Sequence, residues 1–247
     1  MSNYGKIDVL WYDVPWPLKT PDAWESAKMN AMVRKLQPDI IINNRSQLPE
    51  DFGTPEEQIS PENEGRAWEA CMTFNGSWGW QPTPPEDWHS VRSVLGMLQT
   101  CTAGGGNLLL NIGPHPDGSV PAEAVERLSA VGKWLAKYGE PVYGKVDRVA
   151  DMEWMPTGAW TRKGKILYYW VRRWPGKELA IGGLRGKLRA ATLLPSGRPL
   201  SFTQSKDRLV LTGLPRVCPD KVAEVAVIRM EFATAPRQIL GAGCVVL

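Results

Sequence analysis

Over its first 140 residues the chain alternates short β-rich runs with stretches of helical periodicity, and this alternation restricts the possible fold more than any other feature. Ile7 to Tyr12 is a continuous apolar run that predicts a buried strand, followed at once by Asp13 and a proline-rich loop. Pro21 to Leu36 predicts a helix. Thr20 stands at its N-cap, Pro21 at its first position, and Ala23, Ala27, Met29, Met32, Val33 and Leu36 on one apolar stripe. Asp39 to Asn43 predicts a second strand with Asn44 and Arg45 at its C-terminal end. From Ser46 to about Ala67 little periodicity is left, which reads as a long loop. Cys71 to Phe74 is a shorter strand leading into Ser77-Trp78-Gly79-Trp80. Asp87 to Thr102 is helical, Asn107 to Ile112 is a fourth strand, and Ala122 to Tyr138 is a helix with Gly139 as its C′ glycine. Such alternation implies parallel strands joined by right-handed crossovers. Four such units make half of a (β/α)₈ barrel, an architecture that builds its active site at the C-terminal strand ends. Asp13, Arg45, Trp78 and Asn111-Ile112-Gly113-Pro114 all fall at such ends.

After Tyr143 the helices stop. Ile166 to Val171, Glu178 to Ile181, Arg189 to Leu194, Arg208 to Leu211 and Val225 to Met230 are β-rich runs. Turn signals such as Pro175-Gly176 and Ser196-Gly197 separate them, and strands at this spacing predict an antiparallel sandwich. The expected organisation is therefore α/β: a partial (β/α) barrel over residues 1–142, then a β-sandwich over 143–247.

Composition excludes several roles. The net charge is only +3, and the basic residues are scattered apart from short clusters such as Arg172-Arg173 and Gly182 to Arg189, so nucleic acid is not an expected partner. No apolar run approaches the roughly 20 residues needed to span a bilayer, and no membrane partner is expected. Met1 to Lys6 lacks a signal-peptide pattern, which makes a cytoplasmic location the expectation. Cys71, Cys101, Cys218 and Cys244 form no CxxC pair, and His89 and His115 are the only histidines. Reduced, buried thiols, no metal and no cofactor are expected. Gly104-Gly105-Gly106 lacks the helix and Lys-Ser/Thr of a phosphate loop and reads as a tight turn into a strand.

The chemistry concentrates at the first strand ends. Asp13 follows a buried apolar strand and sits two residues from Trp11, a setting for a nucleophile, a base or an ordinary loop cap. Asn43-Asn44-Arg45 offers amide and guanidinium donors suited to vicinal hydroxyls and to a nearby carboxylate. The following loop supplies Asp51, Glu56, Glu57, Glu62 and Glu64 as possible second carboxylates. Glycoside hydrolysis with retention needs a pair of carboxyl groups, one of them with a raised pKa. The 12 tryptophans, all before residue 175, fit either core packing or a sugar-stacking cleft.

Six motifs in order carry a resemblance. They are Leu10-Trp11-Tyr12-Asp13, Asn44-Arg45, Asp51-Phe52-Gly53-Thr54-Pro55-Glu56, Trp68-Glu69-Ala70-Cys71, Ser77-Trp78-Gly79-Trp80, and Gly105 to Pro114 with Asp117-Gly118 after it. The series resembles glycoside hydrolase family 29, the retaining α-L-fucosidases, in which a β-sandwich follows the barrel. The resemblance implies an exo-α-L-fucosidase acting by double displacement on fucosylated oligosaccharides or glycoconjugates. It makes Asp13 the nucleophile and Glu56 the first choice for acid/base, with Glu69 and Glu64 as alternates. Trp11, Arg45 and Trp78 become substrate-binding residues. The family also carries roughly 200 residues ahead of the nucleophile strand, including a histidine-rich segment, whereas here the strand begins about six residues in. Half a barrel leaves apolar strand edges open, so a homo-oligomer that completes the pocket is expected. A non-catalytic fucose- or glycan-binding protein, or an inactive half barrel, is the alternative.

Overall fold

A computed structural model of the chain describes residues 1–13, 16–62, 65–149, 152, 155, 157–239 and 241. Its first elements are β1 (Val9–Leu10), α1 (Ser26–Leu36), β2 (Ile41–Ile42), β3 (Phe52–Gly53), β4 (Ala67–Thr73), α2 (Val91–Ala103), β5 (Asn107–Asn111) and α3 (Ala122–Tyr138). A β-rich part follows: β6 (Gly158–Lys163), β7 (Ile166–Val171), β8 (Glu178–Gly182), β9 (Leu184–Arg185), β10 (Leu188–Leu193), β11 (Arg198–Pro199), β12 (Ser201–Gln204), β13 (Arg208–Thr212), β14 (Ala226–Phe232) and β15 (Arg237–Gln238). Packing divides the chain into two compact units. One comprises Met1–Met72 with Gly106–Leu110, the other Thr73–Gly105 with Asn111–Leu247. This partition differs from a simple break near residue 142, because α2 and α3 pack with the β-rich segments.

In the first unit the strands pair in parallel. Val9 lies opposite Ile41 and Leu10 opposite Ile42, while Phe52 lies opposite Ala67 and Gly53 opposite Trp68. A further parallel bridge, Asn43 to Phe52, links the two pairs, and β5 borders β4. Val33, Ile40 and Ile42 form a small buried cluster with Met1, Ile7, Leu10 and Tyr12 packed on it. Burial of such side chains is worth about 1.5–3 kcal/mol each.

Two local expectations need correction. Helix α1 begins at Ser26 rather than at Pro21, because Glu25 has left-handed backbone angles (φ 51°) and residues 21–25 form turns. The Thr20 hydroxyl does accept from the Ala23 amide at 3.2 Å, but it closes one of those turns instead of capping the helix. The segment from Ser46 to Ala67 is also more ordered than its lack of periodicity implies. It holds the two-residue strand β3 and a parallel bridge from Glu56 to Cys71. A strand of two residues is too short to leave a periodic signal.

In the second unit α2 starts where Ser90 accepts from the Ser93 amide at 3.1 Å, a side-chain N-cap three residues beyond the predicted start. Helix α3 occupies the predicted residues Ala122–Tyr138. Gly139, however, is right-handed (φ −69°) rather than the left-handed C′ residue expected. Glycine is needed there for room, since a Cβ would stand 2.5 Å from both the Leu135 carbonyl and the Tyr143 ring.

The five-stranded sheet runs β11-β10-β14-β7-β6 with every neighbour antiparallel. Its inner strand β7 is buried from Leu167 through Val171, which is why it reads as unbroken apolar sequence instead of alternating. Trp134 of α3 stacks on Tyr138 (5.1 Å between centroids) and on Trp170 of β7 (4.9 Å), and its indole N–H donates to the Val225 carbonyl at 2.8 Å. Helix α2 is tied to β6 where the Gln99 amide donates to the Trp160 carbonyl at 2.8 Å. A separate antiparallel sheet has the order β12-β13-β8. All five predicted β-rich runs lie on strands (β7, β8, β10, β13 and β14), whereas β6 and the short β9, β11, β12 and β15 were not foreseen.

The architecture is thus mixed α/β followed by a β-rich C-terminal part. Among the described residues there are three α-helices, none lying between β2 and β4, so four complete strand–helix units are not present. None of these helices is long and apolar enough to cross a membrane.

Candidate active site

The site is built where β1 and β2 end, around a single guanidinium. Directly after β2 the chain makes a 3₁₀ turn over Asn44–Ser46, closed by Gln47 at φ 64°. Arg45 projects from that turn with only 10% of its side chain exposed. Its Nε donates to Thr54 Oγ1 at 3.0 Å, and Nη1 donates to the Asp13 carbonyl at 3.0 Å. The same Nη1 lies 3.6 Å from the Asp13 carboxylate, while Nη2 lies 2.5 Å from the Glu56 carboxylate. The guanidinium carbon stands 4.5 Å from the centroid of the Trp11 ring, a cation–π contact. Two acidic side chains are therefore held on adjacent nitrogens of one arginine beside an indole. The fork geometry of arginine permits this, and lysine could not reproduce it.

The supporting bonds explain why this sequence folds so locally. The Asn43 side chain is fully buried, donating to the Tyr12 carbonyl and accepting from the Tyr12 amide, both at 2.9 Å. It clamps the end of β1 to β2 and so sets the height of Trp11 and Asp13. Asn44 Oδ1 accepts from the Thr54 amide (3.2 Å) and hydroxyl (3.0 Å), orienting the oxygen that Arg45 Nε meets. The two asparagines expected to face sugar hydroxyls are thus engaged with the protein itself. Thr54 was not singled out from the sequence, because nothing in Asp-Phe-Gly-Thr-Pro-Glu signals which side chain turns toward the arginine.

Glu56 is placed by β4. The Cys71 amide donates to the Pro55 carbonyl and the Glu57 amide to the Cys71 carbonyl, each at 2.9 Å, bracketing Glu56. Along β4, Glu69 and Cys71 share one face, while Trp68, Ala70 and Met72 take the other. The opposite face closes tightly, since a Cβ on Gly106 would run into the Trp68 ring. Burial raises the Glu69 pKa above the ordinary glutamate value. Burial also pushes the Cys71 thiol up. Arg45 opposes that shift and Glu56, Glu69 and Glu57 reinforce it, so all four charges converge on this point of β4.

Of the residues expected from the sequence, Trp11, Asp13, Arg45 and Glu56 are brought together. Asp13 is the most open of them, with 87% of its side chain exposed. The Trp11 indole N–H is buried and has no hydrogen-bond partner among the described residues. Trp78 belongs to the second unit, where it is 42% exposed and its carbonyl accepts from the Asn111 amide at 2.9 Å. Glu64 lies outside the described residues, as does Cys244. Cys71, Cys101 and Cys218 are free and buried, and burial raises Cys101 to about 12. His89 meets the Ser93 hydroxyl at 3.2 Å, and His115 packs against Trp80 with centroids 5.5 Å apart.

Several carboxyl groups gathered near the ends of parallel strands are compatible with glycoside hydrolysis, which works through a pair of them. The α-L-fucosidase family model matches residues 1–140, and the chain belongs to that family. Tissue α-L-fucosidase of Mus musculus is 30% identical, aligned over 94% of this chain and 53% of its own length. The structure of α-L-fucosidase isoenzyme 1 from Paenibacillus thiaminolyticus superposes with a TM-score of 0.82 at 29% identity, covering 94% of this chain and 59% of that one. The α-fucosidase of Thermotoga maritima, solved in complex with a mechanism-based inhibitor, gives 0.71 at 28% identity, covering 91% and 52%. The chain spans about half the length of the tissue-type relatives it matches.

Proposed function

We propose that this chain carries the nucleophile side of an exo-α-L-fucosidase site that releases terminal α-L-fucose from glycans with retention. The observation that carries this reading is Arg45 gripping Asp13 and Glu56 on adjacent nitrogens beside Trp11. In the first step an Asp13 oxygen forms a bond to the anomeric carbon as the glycosidic C–O bond breaks. An acid/base carboxyl gives its proton to the departing oxygen. In the second step water attacks the fucosyl-enzyme, the same carboxyl takes the water's proton, and the Asp13 carboxylate is restored. The exposed position of Asp13 leaves it open to substrate, and Arg45 keeps it oriented.

Glu56, the first choice from the sequence, serves here as the ion-pair partner that holds Arg45. The acid/base role goes to Glu69, which burial keeps protonated to higher pH, as an acid requires. Trp11, whose buried N–H has no partner among the described residues, would line the sugar pocket. The family resemblance assigns Trp78, an exposed indole, to the apolar side of fucose.

The parallel pairing of β1 with β2 and of β3 with β4, joined by the Asn43–Phe52 bridge, supports part of a (β/α) barrel, and the antiparallel sheets after Gly158 support a β-sandwich. The functional domains are 1–142 and 143–247, in accord with the 1–140 match. Val9 and Ile41, paired in the β1–β2 ribbon, are 45% exposed each, as expected if an oligomer completes the barrel.

The test is hydrolysis of 4-nitrophenyl α-L-fucoside by size-fractionated protein, with Asp13→Ala as control. Turnover lost in the variant supports the reading. No turnover in any fraction overturns it, and fucose binding that survives Asp13→Asn would then identify a glycan-binding protein.

A further inference from the structure

A cavity of ≈ 480 Å³ opens in the second unit and is lined by Arg92, Arg172, Arg173, Arg216, Lys221 and Trp174. It contains five cations against one carboxylate, Glu224. Elsewhere in this unit Arg162 is matched with Asp147, Arg185 with Asp207, and Arg229 with Glu140 and Glu231, while Arg127, Arg189, Arg198 and Arg237 stand without an ion pair among the described residues. The cavity differs in gathering its cations into one recess. None of the five cavity cations makes an ion pair among the described residues.

Arg172 is the sharpest case. Its guanidinium donates only to neutral oxygens, to Gln99 Oε1 at 2.7 Å and to the Gly96 carbonyl at 3.3 Å. Arg92 donates in turn to the Arg172 carbonyl, drawing a second guanidinium toward the first. Converging like charges in a partly desolvated recess raise the energy of the empty site, and an anion relieves it.

The walls are fixed before any ligand arrives. The Arg172 and Arg173 amides both donate to the Thr157 carbonyl, at 2.8 and 2.9 Å. Trp174 is tethered by its N–H to the Pro215 carbonyl at 2.9 Å. The buried Asp220 carboxylate accepts from the Val222, Ala223 and Val225 amides, which fastens the loop bearing Arg216 and Lys221 and leaves Asp220 engaged with backbone. The Arg92 and Arg172 guanidinium forks, held by their own hydrogen bonds, match the oxygens of a sulfate ester or carboxylate, and a neighbouring indole suits the C–H face of a sugar.

We propose that this cavity binds an anionic oligosaccharide, its sulfate ester or uronate carboxylate seated among the arginines and its ring against Trp174. The anion follows from the charges alone. The glycan as its carrier rests on the fucosidase reading, and on that reading the cavity selects acidic glycans through residues that take no part in the chemistry at Asp13.

The experiment is calorimetric titration of the whole chain at low ionic strength. The ligands are chondroitin 4-sulfate disaccharide, its unsulfated uronate counterpart, neutral N-acetyllactosamine, inorganic sulfate and a single-stranded oligonucleotide. One or both acidic disaccharides should bind at least about tenfold more tightly than the neutral sugar and the free sulfate. Whichever binds names the anionic group. Because Arg172 also holds α2, the charge variants are made at exposed positions. Arg216→Glu with Lys221→Glu should weaken binding at least tenfold, Trp174→Leu should weaken it, and Glu224→Gln should tighten it. Asp13→Ala should bind like wild type, so failure here and failure of the fucosidase reading are told apart. Equal binding of the neutral sugar, free sulfate binding as tightly as the disaccharides, tighter binding of the oligonucleotide, no binding at all, or indifference to the double charge reversal would each overturn the proposal.

Discussion

Arg45 and Glu56 are joined by a 2.5 Å contact, and the same guanidinium reaches Asp13 through its other terminal nitrogen. Arg45→Lys keeps the charge but has a single ammonium for three tasks. It should lower kcat/KM for an aryl fucoside on the order of 10²-fold while the fold survives, checked by steady-state kinetics beside circular dichroism. Equal activity in the lysine variant would mean that charge alone suffices.

Glu69 and Glu56 are separated by their pH behaviour. Burial raises the Glu69 pKa, so as general acid it should set the alkaline limb of the kcat/KM profile. Glu69→Gln should lose about 10²–10⁴-fold in rate and lose that limb, and added azide should restore turnover of an activated aryl fucoside by attacking the fucosyl-enzyme in place of water, giving a fucosyl azide with no base needed. Glu56→Gln should lower the rate while keeping the limb. The reverse pattern would return the acid/base role to Glu56.

Stability should respond to Glu69 in the opposite sense. A carboxyl whose folded pKa lies above its unfolded value binds more protons when folded, so stability falls as pH rises through that window. Glu69→Gln should therefore raise the unfolding midpoint at neutral pH, and the gain should vanish below the unfolded glutamate pKa of about 4.3. A thermal melt series across pH would detect it.

Asp51 behaves conversely. Burial pushes its carboxyl up, but the Arg34 hydrogen bond and the Ile42 amide outweigh it and hold the pKa below the ordinary value. Asp51 Oδ2 lies 2.8 Å from Arg34 and 2.7 Å from the Ile42 amide. The stabilisation is present above the unfolded pKa of about 3.9 and is lost as pH falls through the lower folded value. Asp51→Asn should destabilise at pH 7, and its melting point should converge on wild type in acid. A gap independent of pH would show that shape, not charge, matters at this position.

Gly139→Ala should destabilise by about 1–3 kcal/mol although alanine is the better helix former. The added methyl would meet the Leu135 carbonyl and the Tyr143 ring at 2.5 Å. Urea denaturation would show it as a lower midpoint with unchanged slope.

How much of this was legible beforehand depended on the length of each element. Helix α3 and strand β7 carry long apolar patterns, and their predicted spans match those observed. Strand β3, with two residues, has no period to detect. The early start assigned to α1 came from a sound N-cap and proline signal that a left-handed Glu25 overrides. At the site, the residue types Trp11, Asp13, Arg45 and Glu56 were readable from their motifs. Their partners were not. Asn43 looks like a ligand-facing amide, and only the pairing of β1 with β2 reveals that both of its hydrogen bonds go to Tyr12.

The pair of backbone bonds that brackets Glu56 has a consequence for variation along this segment. Because Cys71 bonds Pro55 and Glu57, the strand acts as a ruler that indexes one carboxylate and not its neighbour. A one-residue slip would present Glu57 in its place. A single insertion between Thr54 and Glu56 would displace the acidic group that grips Arg45, so β4 fixes this stretch in phase.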